Sequence, residues 1–296
     1  MDEILNLIGN YSYVYDKKDD IYWNNKQIIL KAIKTNGYVL KYASKEIKND
    51  KDVFIKAIKI NGSYFQYASN ELKNDKIFVI EILKINGHVL KYVSKKLKND
   101  KDVVLVAIKN DGIFLAHASK NLKNNKEVVI EAVKKTGDAL RYASEYIQNN
   151  KEVVLEAIKN DGTALLYASE NLQNDKNFSF EAVKINSWCF DYVSENFKND
   201  EEFLLEAVGG DEDCLYYASE KLRNDKIFIL KAIKNNVHSL RFASKDLQCD
   251  KKLIMVALKK IHLVNYCDYK KYKISHHIIY NAKKLKESYA KILEFY

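Results

Sequence analysis

Nine serines stand 25 residues apart, from Ser44, Ser69 and Ser94 through Ser119, Ser144, Ser169, Ser194 and Ser219 to Ser244. No nucleophile elbow and no Gly-rich phosphate loop accompanies them. The serine therefore reads as structural: with the alanine before it, it lets helices approach closely, and its hydroxyl can bond back to the preceding turn. Metal chemistry fares no better. Cys189 and Cys214 fall 25 residues apart with His238 one row further on, but no C-x-x-C or H-E-x-x-H spacing occurs, so no metal or cofactor is expected. The six histidines (His88, His117, His238, His262, His276 and His277) have no recurring partner, and the His276-His277 pair reads as exposed on a lysine-rich tail. An enzyme is not expected.

The same spacing places the residues that can do recognition chemistry. Written in rows of 25 from Lys26, the chain aligns nine rows to Asp250 without insertion or deletion. Position 17 of the row is an aromatic series of Tyr42, Tyr67, Tyr92, Tyr142, Tyr167, Tyr192, Tyr217 and Phe242, interrupted by His117. Such a series suits either packing between rows or a ladder on which bases stack, and packing is the favoured reading. Position 9 is lysine in eight of the nine rows. In a repeat protein a binding surface belongs at positions that vary while the scaffold recurs. Positions 13, 16 and 20 do so and share one face of a helix. They supply the candidate partner-binding residues Tyr38, Lys41, Lys45, His88, Lys91, Lys95, Arg141, Trp188, Asp191, Glu195, Asp213, Tyr216, Glu220 and Arg241.

The elements that must hold these side chains follow from the row at Lys151, KEVVLEAIKNDGTALLYASENLQND. Val153, Val154, Leu155, Ala157 and Ile158 wrap much of a helical wheel, so a first helix is expected to be buried on most sides. Asn or Asp before it, with Lys and often an acid after, is N-cap and capping-box chemistry. Glycine at position 12 in rows one to six (Gly37 to Gly162) predicts a left-handed C-terminal turn. Rows seven to nine carry Ser187, Glu212 and Val237 there and stand apart. A second helix is predicted from about position 13 to 23, with Leu165, Ala168 and Leu172 as its inward stripe. Two helices of about ten residues are too short to stand alone in water, so each pair needs its neighbours. The fold class is all-α: an α-solenoid of nine 25-residue two-helix repeats. Residues 1–25 read as an N-terminal cap and 251–296 as a partial tenth repeat, KKLIMVALKK, followed by a C-terminal capping helix from Ser275.

Composition agrees. The 296 residues contain no proline, only nine glycines, and 47% hydrophobic residues, which favours helix over a loop-rich chain. No apolar run approaches the ~18 residues of a membrane span, no signal or transit peptide is legible, and four unclustered cysteines suit a reduced compartment. An intracellular, cytoplasmic protein without a membrane partner is expected. The net charge of +9 is segregated: residues 26–125 hold 20 basic and nine acidic side chains, residues 151–225 seven and 17, and residues 226–296 16 and five.

The row consensus, acid-V-V-L-x-A-V-K-x-N-G-x-x-L-x-Y-A-S-x-x-L-K-N-D, resembles the repeats of the family labelled domain of unknown function 4116, most closely over Lys101 to Asp175 and in outline from Lys26 to about Lys260. That resemblance implies repeat architecture and, since the family is common in amoeba-infecting giant viruses and occurs in some protists and bacteria, a viral source with the host cytoplasm as its location. It implies no catalytic residue. Nine stacked rows at helix-packing distance predict a shallow surface roughly 80–90 Å long. The first functional reading is a non-enzymatic protein-interaction scaffold whose partner is met through positions 13, 16 and 20, steered by complementary charge. The alternative is RNA or single-stranded DNA bound through the basic rows at 26–125, against which the acidic middle would repel a continuous strand.

Overall fold

The computed structural model describes residues 20–210 and 212–263, and among these every regular element is helical. Each row is built from three helical pieces instead of the two expected. In row four a ten-residue α-helix (Lys101–Asn110) leads into a six-residue 3-10 helix (Gly112–His117) and then a four-residue α-helix (Lys120–Lys123). The chain divides into two compact units, residues 1–168 and 169–296, with the division inside row six, between its 3-10 helix (Gly162–Tyr167) and its short helix (Glu170–Gln173).

The long helix starts where the sequence says it should. The Asp100 carboxylate accepts the amides of Asp102 and Val103 at 3.1 and 3.2 Å, and Asp75, Asn125 and Asn150 do the same for their own third residues. The reciprocal half of a capping box is absent because the third residue is apolar. The acid at position 2 turns instead to the lysine that opens the row before: Lys126 lies 2.5 Å from Glu152 in the first unit, and Lys176 reaches Asp200 and Glu202 at 2.9 and 3.1 Å in the second. Positions 3, 4, 7 and 8 are buried, as with Val153, Val154, Ala157 and Ile158 at 0% exposure, while Leu155 at position 5, expected with them, is only half-buried. Burying each such Val or Ile contributes about 1.5–3 kcal/mol, which is what makes a ten-residue helix persist.

Position 11 stops the helix by a different device from the one expected. Among the described residues no backbone angle φ is positive, so no left-handed glycine turn occurs. Asn61 is extended, with φ −156° and ψ 120°; its amide still donates to the Ala57 carbonyl at 2.9 Å, while its side chain accepts the Ser63 amide at 2.9 Å and so opens the 3-10 helix (Gly62–Tyr67). The glycine that follows is required by proximity. A Cβ on Gly112 would lie 2.1 Å from the Ala132 carbonyl oxygen, and one on Gly37 2.1 Å from the Tyr64 ring.

The predicted second helix is broken at the serine. Ala68 and Ser69 are extended, with ψ 154° and 160°, and a new short helix (Asn70–Asn74) begins. Ser69 caps that helix, its hydroxyl accepting the Leu72 amide at 3.1 Å, and the hydroxyl itself donates to the Asn49 side chain at 2.5 Å. The Ser69 amide donates to the Lys48 carbonyl at 2.8 Å. Two helical hydrogen bonds are thus exchanged for two bonds to the previous row, and Ser44, Ser94, Ser119 and Ser144 repeat the arrangement. The inward stripe survives the break: Leu165, Ala168 and Leu172 are all buried. In a 3-10 helix the period of three puts Gly162, Leu165 and Ala168 on one face, and Leu172 comes from the short helix.

Rows seven and nine keep the standard form despite Ser187 and Val237, with long helices Lys176–Ile185 and Lys226–Asn235. Row eight is the exception: its long helix is cut to Glu201–Ala207, and the chain turns through Gly209 and Gly210. At the N-terminal side, a four-residue helix (Asp20–Trp23) with Asn24 and Asn25 already plays the part of a row ending, since Asn24 accepts from Ser44 and Asn25 caps the helix Lys26–Thr35. The partial tenth repeat is a helix from Lys251 to Leu263. The expected capping helix from Ser275 lies outside the described residues.

Candidate interaction surface

Within the 3-10 helices, Gly, Leu and Ala at positions 12, 15 and 18 take the buried face and leave positions 13 and 16 outside, one turn apart and eclipsed. Tyr38, Lys41, Lys91 and Arg141 are exposed on this face in the first unit, and His88 is half-buried. In the second unit Trp188, Asp191, Asp213 and Tyr216 are exposed, Trp188 at 72% and Tyr216 at 70%. Position 20 does not share that face as a continuous helix would require: Lys45, Lys95, Glu195 and Glu220 are exposed, but each opens the separate short helix beyond the break.

Contacts across rows pair position 13 of one row with position 17 of the next. The ring centroids of Tyr38 and Tyr67 are 6.3 Å apart, and those of His88 and His117 5.9 Å, both edge-on. Position 16 lays its cation over its neighbour at 17: Lys41 over Tyr42 and Lys91 over Tyr92 at 5.6 Å, Arg141 over Tyr142 and Arg241 over Phe242 at 4.6 Å. The position 17 aromatics are therefore inter-row packing with an accessible edge, Tyr42 being 40% exposed and Tyr217 36%. Three of the candidates are already in ion pairs: Arg241, half-buried, pairs with Glu212 and with Asp213, and Glu195 pairs with Lys198 at 2.8 Å. A hydrogen bond with Asp191, followed by burial, pushes the Tyr217 phenol up to about 12.

Two features of this surface escape the sequence pattern. The first is position 23, a long donor in every row. Lys48, Lys73 and Lys98 donate to the carbonyls of Lys41, Gln66 and Lys91 at 2.8, 2.6 and 2.6 Å, and Lys198 and Gln248 to Asp191 and Arg241 at 3.0 and 2.8 Å. They satisfy the free carbonyl end of each 3-10 helix, and burial lowers the ammonium pKa of Lys48, Lys73 and Lys98. Their recurrence at a fixed place seven residues after position 16 is the signal that could have found them. The second is the His88–His117 pair, whose members occupy different positions of their rows, 13 and 17. Burial lowers the His117 imidazole to about 4, with His88, Lys98, Lys91 and Lys123 adding repulsion.

Cys189 and Cys214 are buried in their 3-10 helices, and no group of three or more His, Cys, Asp or Glu side chains able to hold a metal gathers among the described residues. No helix among them is long and apolar enough to cross a membrane.

A chain of tandem three-piece helical rows without strands among the described residues is an all-α repeat solenoid. The family described as Domain of unknown function (DUF4116) matches nine stretches, residues 3–48, 25–73, 50–98, 75–123, 100–148, 150–198, 175–223, 200–248 and 225–269, and the chain belongs to it. Comparison with the curated proteins and with the solved structures gave no match.

Proposed function

We propose that this protein is a non-enzymatic scaffold that binds a protein partner through its 3-10 surface, with the second unit as the principal contact. The observation that carries this reading is the exposure of Trp188 and Tyr216 at positions 13 and 16 of successive rows, on a frame that buries Cys189, Phe190, Cys214 and Leu215 of the same helices. Large aromatics are the side chains that dominate interface energies when a partner covers them. Asp191 and Asp213 lie in the same 3-10 helices, with Glu195 and Glu220 opening the short helices that follow, and residues 151–225 carry 17 acidic against seven basic side chains, so the partner surface is basic with an apolar centre. Lysine or arginine on the partner sets the encounter, and the rings supply the hold.

A displayed random-peptide library selected against the full-length chain tests this. Enriched peptides should combine Lys or Arg with an apolar or aromatic residue, bind more weakly as salt rises, and lose at least roughly tenfold in affinity to the Trp188→Ala/Tyr216→Ala variant, a loss of about 1.4 kcal/mol. Peptides that bind the variant equally well would overturn the assignment of the surface.

A further inference from the structure

The first unit presents the opposite charge on the same kind of surface. Of the nine carboxylates in residues 26–125, eight are engaged elsewhere. Asp50, Asp75 and Asp100 cap long helices and pair with Lys26, Lys51 and Lys76. Asp52 and Asp102 join those pairs, Asp111 caps a 3-10 helix and accepts from Thr136, and the Glu46 and Glu71 carboxyls are held below their ordinary range by their own backbone amides and then by Ser44 and Ser69. Lys41 and Lys91 on the 3-10 surface, and Lys45, Lys95 and Lys120 at the starts of the short helices that follow, have no such partner. No carboxylate among the described residues lies within ion-pair distance of Lys41, Lys45, Lys91, Lys95 or Lys120. The position 23 lysines bring further ammoniums to the same helix ends, and Lys91 and Lys98 are close enough to repel one another.

Uncompensated cations gathered beside aromatic edges fit an anion that also carries flat rings. We propose that the 3-10 surface of rows one to four, centred on Lys91, His88 and His117, seats a single-stranded nucleic acid. Phosphates lie against the Lys41 and Lys91 ammoniums of this surface and against Lys95 at the start of the short helix that follows, and bases stack on the accessible rings of Tyr38, His88 and their neighbours. Two observations favour this over an acidic peptide. The cation at position 16 lies directly over the ring at position 17 in rows one and three, so charge and stacking surface alternate in register. The His88 ring packs edge-on against Tyr92, Phe114 and His117, at 5.8, 6.3 and 5.9 Å, an aromatic cluster whose half-exposed member offers ring surface to a base and no paired donors to a carboxylate. The acidic 3-10 surface of the second unit takes no part, so the footprint is confined to the first. This site is independent of the protein-binding surface proposed above.

The test is fluorescence anisotropy of the full-length chain with a labelled oligouridylate of about 20 nucleotides at several salt concentrations. The Lys41→Ala/Lys91→Ala/Lys95→Ala variant should raise the Kd at least roughly tenfold and flatten the salt dependence by about two in log–log slope, at ~0.7 for each phosphate of a single strand that is no longer neutralised. The same charge removed from the long helices, as Lys56→Ala/Lys59→Ala/Lys84→Ala, should change the Kd far less. Tyr38→Leu, which keeps the apolar bulk but removes the ring, should weaken binding at constant salt slope. Absence of binding, equal loss from the two triple variants, indifference to Tyr38→Leu, or displacement of the RNA by polyglutamate as readily as by unlabelled RNA would each overturn the proposal.

Discussion

At the scale of single residues, what recurs in each row does so because it touches another row. Ser69 is an N-cap and an inter-row clamp at once, and Asn49 is kept to receive it. Glycine at position 12 belongs to the same logic. It is not needed for its backbone freedom, since its φ is ordinary, but for the space its missing side chain leaves to the next row. The consequence is measurable. Gly112→Ala drives a methyl into the Ala132 carbonyl and should lower the free energy of unfolding by about 1–3 kcal/mol, the range typical of overpacking. Gly210→Ala, whose added Cβ would meet nothing nearer than 3.6 Å, should leave stability unchanged or raise it by about 0.4–1 kcal/mol. Urea midpoints of the two variants that shift alike would contradict a steric role for Gly112.

The elements divide the labour. Long helices build the core and tie rows together by lysine–carboxylate pairs, while the 3-10 helices present side chains outward and depend on position 23 to satisfy their carbonyl ends. His117 shows what it costs to bring 3-10 helices carrying cations side by side. Its imidazole titrates at about 4 in the folded chain, against 6.5 when unperturbed, because it is buried and faces His88, Lys98, Lys91 and Lys123. The unfolded chain therefore binds more protons between those two values, and stability falls as pH is lowered through that window. The capping aspartates act below it: with Asp50, Asp75 and Asp100 held under their ordinary range, their contribution stands above the unfolded pKa near 3.8 and is lost as the pH falls through the folded value. Comparing urea midpoints at about pH 7.5, above the histidine window, and at about pH 5, inside it and above the aspartate range, isolates the first effect. His117→Phe, the chemistry row nine already uses at Phe242, should flatten the difference between the two pH values. A variant that keeps the full slope would place the proton elsewhere.

For the whole molecule, rows that contact mainly their neighbours make stability a sum of similar terms. Removing residues 76–100, one complete row, rejoins Asp75 to Lys101 and restores every type of junction: Ser119 would meet Asn74 as Ser94 does now, and Lys51 would lie before the Lys101 helix. The shortened chain should stay helical and cooperative by circular dichroism. Removing residues 76–87 instead leaves the 3-10 helix His88–Tyr92 without its long helix and should abolish the cooperative transition. Equal behaviour of the two deletions would count against row-by-row assembly. The distribution of charge also belongs to this scale. A net charge of +9 says little about a chain whose first four rows carry 20 basic against nine acidic side chains and whose residues 151–225, around Trp188 and Tyr216, carry seven against 17.

The sequence by itself determined the period, the all-helical class, the start and N-cap of the long helices, and the identity of the inward stripe, because these depend on local periodicity and on chemistry within one turn; the left-handed glycine turn expected at their C-termini does not occur among the described residues. Val153, Val154, Ala157 and Ile158 are buried as their spacing demands, and Asp100 caps where an aspartate before an apolar run should. The candidate surface was legible in part: positions 13 and 16 are outside, but position 20 belongs to another element. Only the tertiary structure decided that. A serine can sit within a continuous helix or cap a new one, and the choice at Ser69 turns on the Lys48 carbonyl and the Asn49 side chain, acceptors that lie in the preceding row. The His88–His117 contact was out of reach for the same reason. Its partners are 29 residues apart, and their meeting follows from how one 3-10 helix lies against the next, a property of packing between rows that no single row contains.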